Sequence, residues 1–177
     1  MNMTETVLFS ERLCLEAFEP ADAAETFACA TTTLTRFMAF DPSPTRKAFA
    51  EVSRGWIPKM AGGTDLFLVA RSRSTGEFAG MLGLHRIGNP EPVVGVWIKE
   101  AWHGLGYGHE AVRALVAWAG EALGVEAVTY SAVEQNHPSR KIADRLGGAM
   151  VRTSCLKKTG GIEYKLIVYR IPTGAIP

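Results

Sequence analysis

The stretch Trp102-His103-Gly104-Leu105-Gly106-Tyr107-Gly108-His109-Glu110-Ala111-Val112 constrains this chain more than any other. Three alternating glycines open directly into a helical pattern, and the apolar run Val93–Ile98 ahead of them reads as a strand. A strand, a glycine-rich turn and a helix start together make an anion site. The first N–H groups of a helix lack intrahelical acceptors and carry the positive end of the macrodipole. Glycine admits positive φ and lets a ligand approach the main chain without meeting a Cβ. The expected ligand is phosphate-bearing and held by backbone donors rather than by Lys or Arg. Taken alone, the loop also reads as a plain turn. Its spacing excludes two familiar alternatives. There is no Gly-Lys-Ser/Thr, and the third glycine follows the second by two residues rather than three, so neither a Walker loop nor a dinucleotide fingerprint is present. Residues 99–103 also separate the strand from the first glycine, where a Rossmann unit turns much more tightly.

A second constellation follows the helix. Ala127–Val133 reads as a strand, and after it come Glu134-Gln135-Asn136-His137-Pro138-Ser139 and, further on, Leu146-Gly147. This run resembles the Asn-x-x-Ser/Ala…Leu-Gly-Phe signature of the GNAT superfamily of acyl-coenzyme A-dependent N-acetyltransferases. The glycine loop is similar to that superfamily's Gln/Arg-x-x-Gly-x-Gly/Ala pyrophosphate loop, with His103 in the Gln/Arg place. The segment Gly95-Val96-Trp97-Ile98…Trp102-His103-Gly104-Leu105-Gly106-Tyr107…Glu110-Ala111 and the opening Ser10-Glu11-Arg12-Leu13-Cys14-Leu15 look like the RimJ/RimL-type branch. The resemblance spans nearly the whole chain.

Other sequence features agree with one domain over residues 1–177. A chain of 177 residues suits a single core, and 47% hydrophobic with 21% charged residues is ordinary for a globular protein. A net charge of +1 gives no steering toward nucleic acid or a membrane surface. No run of eighteen apolar residues and no signal-peptide pattern is seen. Cys14, Cys29 and Cys155 are odd in number and far apart, which predicts no disulfide, no metal site and a cytoplasmic setting with reduced thiols. All three are expected to be buried small hydrophobes.

The patterning predicts a first strand over 7–18, interrupted near Ser10, and a first helix over 21–31. Ser43-Pro44 predicts the cap and first turn of a second helix over 45–60. A hairpin of strands 66–72 and 77–87 follows, then the fourth strand (Val93–Ile98), a third helix (108–123), the fifth strand (Ala127–Val133), a fourth helix (138–146) and strands 149–154 and 163–171. Val112, Leu115, Val116 and Ala119 should face the sheet. The fold class is mixed α+β: by resemblance, a GNAT-type, largely antiparallel seven-stranded sheet splayed between its fourth and fifth strands, with about four helices.

The resemblance implies acetyl-coenzyme A as co-substrate, no metal, and direct attack by an amine in a ternary complex. His103, Gly104, Leu105, Gly106, Tyr107, Gly108 and His109 would hold the pyrophosphate. The pantetheine arm would lie along Trp97, Ile98 and Lys99, and a backbone N–H near Ile98 would polarise the thioester carbonyl. Asn136 and Ser139 would also meet the cofactor. A tyrosine seven residues after the signature Asn often protonates the leaving thiolate; here that position is Ala143. The branch alternative is Ser139, which equally reads as the start of a helix. Two positions that often carry a basic Glu are Val93 and Val151, so the chain lacks a carboxylate at the usual places. His85 and Glu134 are the replacements, each also readable as a surface or strand-edge residue, and a water-mediated base is equally open. With no such base the amine would have to arrive neutral. Arg36, Phe37, Phe40 and Trp56 either line the acceptor pocket or belong to the core. The resemblance implies a small-molecule amine or a protein N-terminal α-amine as acceptor, and a monomer or homodimer is expected. A non-catalytic acyl-coenzyme A sensor on the same fold is the alternative. A dinucleotide-binding α/β protein is disfavoured by two successive helices followed by a hairpin.

Overall fold

The computed structural model describes residues 1–174. In chain order the elements are β1 (Val7–Phe9), β2 (Leu13–Ala17), α1 (Ala23–Cys29), α2 (Thr32–Thr35), α3 (Arg46–Arg54), α4 (Trp56–Ala61), β3 (Asp65–Ser72) and β4 (Phe78–His85). Then come β5 (Val93–Ile98), α5 (Tyr107–Leu123), β6 (Ala127–Val133), α6 (His137–Arg145), β7 (Ala149–Lys157) and β8 (Glu163–Pro172). The strands form one sheet in the order β1-β2-β3-β4-β5-β6-β8-β7, antiparallel throughout except for β5 and β6. The mixed α+β class is as expected, but among the described residues there are eight strands and six α-helices rather than seven and about four.

The differences have local causes. Ser10 accepts from the Leu13 N–H at 3.0 Å and donates its own N–H to the Leu13 carbonyl, which closes a turn and folds the expected first strand into the β1–β2 hairpin. Thr31 caps α2 by accepting from the Leu34 N–H, so the first helix splits. Thr45, not Ser43, caps α3 by accepting from the Ala48 N–H at 3.1 Å, which leaves Pro44 outside the helix. Pro58 has no N–H for the carbonyl four residues earlier, and α3 gives way to α4 at Gly55.

Helix α5 buries Ala111, Val112, Leu115, Val116 and Ala119. It lies on the face of β5 that carries Ile98, whose side chain approaches Gly108. The opposite face carries Phe67, Gly83 and Gly95 as one cross-strand row. Trp56 of α4 stacks on Phe67 there, and Arg71 of the same face pairs with Asp22 and with Glu25 of α1. The cysteines depart from expectation: Cys14 and Cys29 are only half-buried, and Cys155 is exposed on the edge strand β7.

Parallel pairing of β5 with β6 covers only Val93↔Thr129 and Val94↔Tyr130. Beyond it, β5 stays with β4 as far as Gly80↔Ile98, while β6 stays with β8 as far as Val133↔Leu166. The two central strands therefore part at Gly95, and the cleft between them opens toward the glycine loop.

Candidate active site

Gly104 and Gly106 take φ of +77° and +85°, the left-handed region where side chains are strained. Gly106 is the N-cap of α5, with no side-chain cap. The N–H of Glu110 reaches the Gly106 carbonyl, which leaves the N–H groups of Tyr107, Gly108 and His109 as the orphan donors of a 17-residue helix. His109 is pushed down by burial and by the nearby Arg145 and Arg113 charges, so it favours the neutral form. His103 donates from Nε2 to the Ile98 carbonyl at 2.6 Å, tying the loop to the end of β5.

The sequence reading missed what braces this loop. Glu110 is buried in the first turn of α5 and accepts from the Ser10 hydroxyl (2.6 Å), the Arg12 N–H (2.7 Å) and Arg12 Nε (2.7 Å). Arg12 also donates to the Leu105 carbonyl and lies 4.1 Å over the Tyr107 ring, so a guanidinium flanks the glycines. The signal was present, since Ser10, Arg12 and Glu110 all sit in motifs that carried the resemblance, yet nothing local joins residues 98 apart in the chain. Burial pushes the Glu110 carboxyl up, but the hydrogen bonds from Ser10 and Arg12 outweigh it and hold it below the ordinary range. A carboxylate with a depressed folded pKa adds stability above its unfolded pKa, roughly 4.3, and that stability is lost as pH falls through the folded value. Glu110→Gln should cost about 1–3 kcal/mol at neutral pH. Its denaturant midpoint should also fall less steeply below pH 4 than the parent's; an unchanged acid limb would contradict the assignment.

At the cleft, the Lys99 N–H bonds the Ala79 carbonyl of β4. Alternation along a strand then turns the Val96 and Ile98 N–H groups away from β4, toward the opening. Lys99 itself faces elsewhere, paired with Glu77 and lying over Trp102. Asn136 caps α6 by accepting from the Ser139 N–H at 3.3 Å, so Ser139 is not the cap. The Ser139 hydroxyl meets the Tyr130 hydroxyl at 2.7 Å, and Tyr130 belongs to the last β5–β6 pair. Burial pushes the Tyr130 phenol up to about 12.

A cavity of about 420 Å³ lies on the Phe67–Gly83–Gly95 face, walled by Phe27, Phe40, Phe49 and Trp56 and bordered by Trp97 of β5. His85 lines it. Its Nδ1 lies 2.9 Å from Asp65 Oδ1, and its ring meets Phe67 edge-on at 5.3 Å. A Cβ on Gly83 would collide with His85 Nε2, so the missing side chain makes room for the imidazole. His85 also stands opposite Val93 in the β4–β5 register.

The other candidates are placed differently. Glu134 is paired with Lys165 at 2.7 Å, which holds its carboxyl below the ordinary range, and it does not line the cavity. Arg36 lines a second groove beside Tyr164 and lies over the Phe37 ring, and Phe37 packs edge-on against Tyr164. Only Phe40 and Trp56 of the four expected pocket residues border the aromatic cavity. Val151 is exposed on β7. Among the described residues no cluster of three metal-ligating side chains occurs, and no helix is long and apolar enough to cross a membrane.

The sheet thus splays between β5 and β6, with the glycine loop and the N-terminus of α5 near the mouth of the split and the aromatic cavity beside it. The family profile described as "Acetyltransferase (GNAT) domain" matches residues 12–149, and the chain belongs to that acetyltransferase family. The fold is shared with RimL, a ribosomal L7/L12 alpha-N-protein acetyltransferase, in complex with coenzyme A (TM-score 0.82, 17% identity, covering 95% of this chain and 99% of that one). It is shared equally with a ribosomal-protein-S5-alanine acetyltransferase from Vibrio fischeri (TM-score 0.82, 15% identity, 98% and 100%). A GCN5-related N-acetyltransferase from Brucella melitensis also matches (TM-score 0.78, 18% identity, 98% and 81%). No curated protein sequence matches significantly.

Proposed function

We propose that this acetyltransferase moves an acetyl group from acetyl-coenzyme A to a primary amine by direct attack in a ternary complex. The observation that carries the reading is the His85–Asp65 pair in a cavity that borders the splayed edge of β5. The orphan N–H groups of α5, flanked by Arg12, suit the cofactor pyrophosphate. The Val96 and Ile98 N–H groups suit the pantetheine amide and the thioester carbonyl.

A protonated amine cannot attack, so the site must remove a proton. Asp65 accepts from Nδ1–H and so leaves Nε2 as the basic nitrogen, on the side of the ring that adjoins Gly83. His85 thus supplies from β4 what a carboxylate at position 93 would supply from β5, because the two positions face each other. On this reading the base is His85 and not Glu134. Attack forms the new C–N bond, and collapse breaks the C–S bond. Either hydroxyl of the Tyr130–Ser139 pair can donate in their shared hydrogen bond; with Tyr130 as the donor, the Ser139 proton is free for the departing thiolate.

Ser139→Ala should lower turnover by about ten- to a hundredfold with cofactor affinity little changed. Loss of binding with turnover intact at saturation would make Ser139 a cofactor contact instead. The reading as a whole is tested by release of free coenzyme A against a panel of amines and N-terminal peptides. A sensor would bind acetyl-coenzyme A and release no thiol with any of them.

A further inference from the structure

We infer that the acceptor is a monoamine on a compact, ring-sized apolar body, with neither a carboxylate nor a second ammonium. The inference rests on the transferase reading above and concerns what the cavity selects. Its walls form a relay of rings: Phe27 against Phe49 at 6.2 Å, Phe49 against Trp56 at 5.7 Å, Trp56 stacked on Phe67 at 4.6 Å, and Phe67 against His85. The relay ends at the nitrogen proposed to take the proton.

Charge narrows the class. Among the described residues lining this cavity there is no Lys or Arg, so a free amino acid would bury its carboxylate unpaired. The lining carboxylate, Asp41, is 2.6 Å from Lys158 Nζ, and that bond holds it below the ordinary range, ionised and paired. Lys158 also donates to the Thr35, Met38 and Phe40 carbonyls, so it is fixed in place. Asp65 is engaged by His85. A second ammonium, as in a polyamine or an aminoglycoside, therefore finds no free carboxylate there. The volume, about 420 Å³, is near the small end of ligand cavities, roughly 300–1,000 Å³, and the part beside Trp97 is needed for the thioester.

The test compares initial rates of coenzyme A release with four probes: 2-phenylethylamine, phenylalanine, ethylamine and spermidine. Phenylalanine adds only a carboxylate to the first probe, and ethylamine lacks its ring. We expect kcat/KM for 2-phenylethylamine to exceed each of the others by at least about tenfold: over ethylamine from the lower worth of burying one phenyl ring, and over phenylalanine and spermidine from the cost of burying an unpaired charge. Val52→Glu places a carboxylate on an exposed residue of α3 that lines the cavity. It should raise KM for 2-phenylethylamine and narrow its advantage over spermidine. Equal or better use of phenylalanine, ethylamine or spermidine by the parent overturns the inference while leaving the transferase reading intact. No release with any of these amines or with N-terminal peptides overturns both.

Discussion

His85→Gln should lower kcat/KM for the amine by about a hundred- to ten-thousandfold, the range of a lost general base. Acetyl-coenzyme A should still raise the melting temperature as it does in the parent, because His85 stands in the aromatic cavity and away from the glycine loop. The pH profile carries a second signature. With the base present, the rate at subsaturating amine levels off below the amine's own pKa. Without it, the rate keeps climbing toward that value, roughly 10 for a lysine-like amine. Asp65→Asn should fall between the two, because its side-chain oxygen can still accept from Nδ1 but no longer stabilises an imidazolium. If His85→Gln instead raised only KM and left the profile unmoved, His85 would be a wall of the cavity.

Gly106→Val should remove most of the stabilisation that acetyl-coenzyme A confers, about 2.7 kcal/mol at a hundred times its dissociation constant in the parent. Gly106 has φ +85°, a left-handed conformation that a β-branched residue resists. The N-terminus of α5 would shift and its orphan N–H groups would no longer converge. Thermal shift with and without cofactor reads the effect; equal stabilisation of variant and parent would reduce the loop to a turn.

The glycine loop, α5 and β6 were legible because local rules determine them: positive-φ glycines, a helical apolar stripe and an alternating strand. Helix α5 starts one residue from its expected position, and β6 has the expected bounds. What was not legible depends on contacts between distant segments. The Ser10 turn and the Arg12–Glu110 brace join the start of the chain to α5. The Asp65–His85 pair depends on register. Extending the hairpin from Arg71↔Phe78 would set Asp65 opposite Leu84 and turn His85 to the other face of the sheet. The irregularity between Ala70 and Arg71 shifts the pairing by one residue and brings Asp65 opposite His85. Glu134 looked equivalent to His85 in sequence, and only the neighbouring strand, which supplies Lys165, separates them.

The most direct measurement quantifies free coenzyme A by thiol detection and acetylated amine by mass spectrometry in the same reaction, with the cognate amine in excess over acetyl-coenzyme A. Transfer in a ternary complex predicts equimolar thiol and N-acetyl product, with no acetylated protein when the amine is omitted. Binding of acetyl-coenzyme A with no product above the protein-free blank, for every amine and peptide tried, would contradict it.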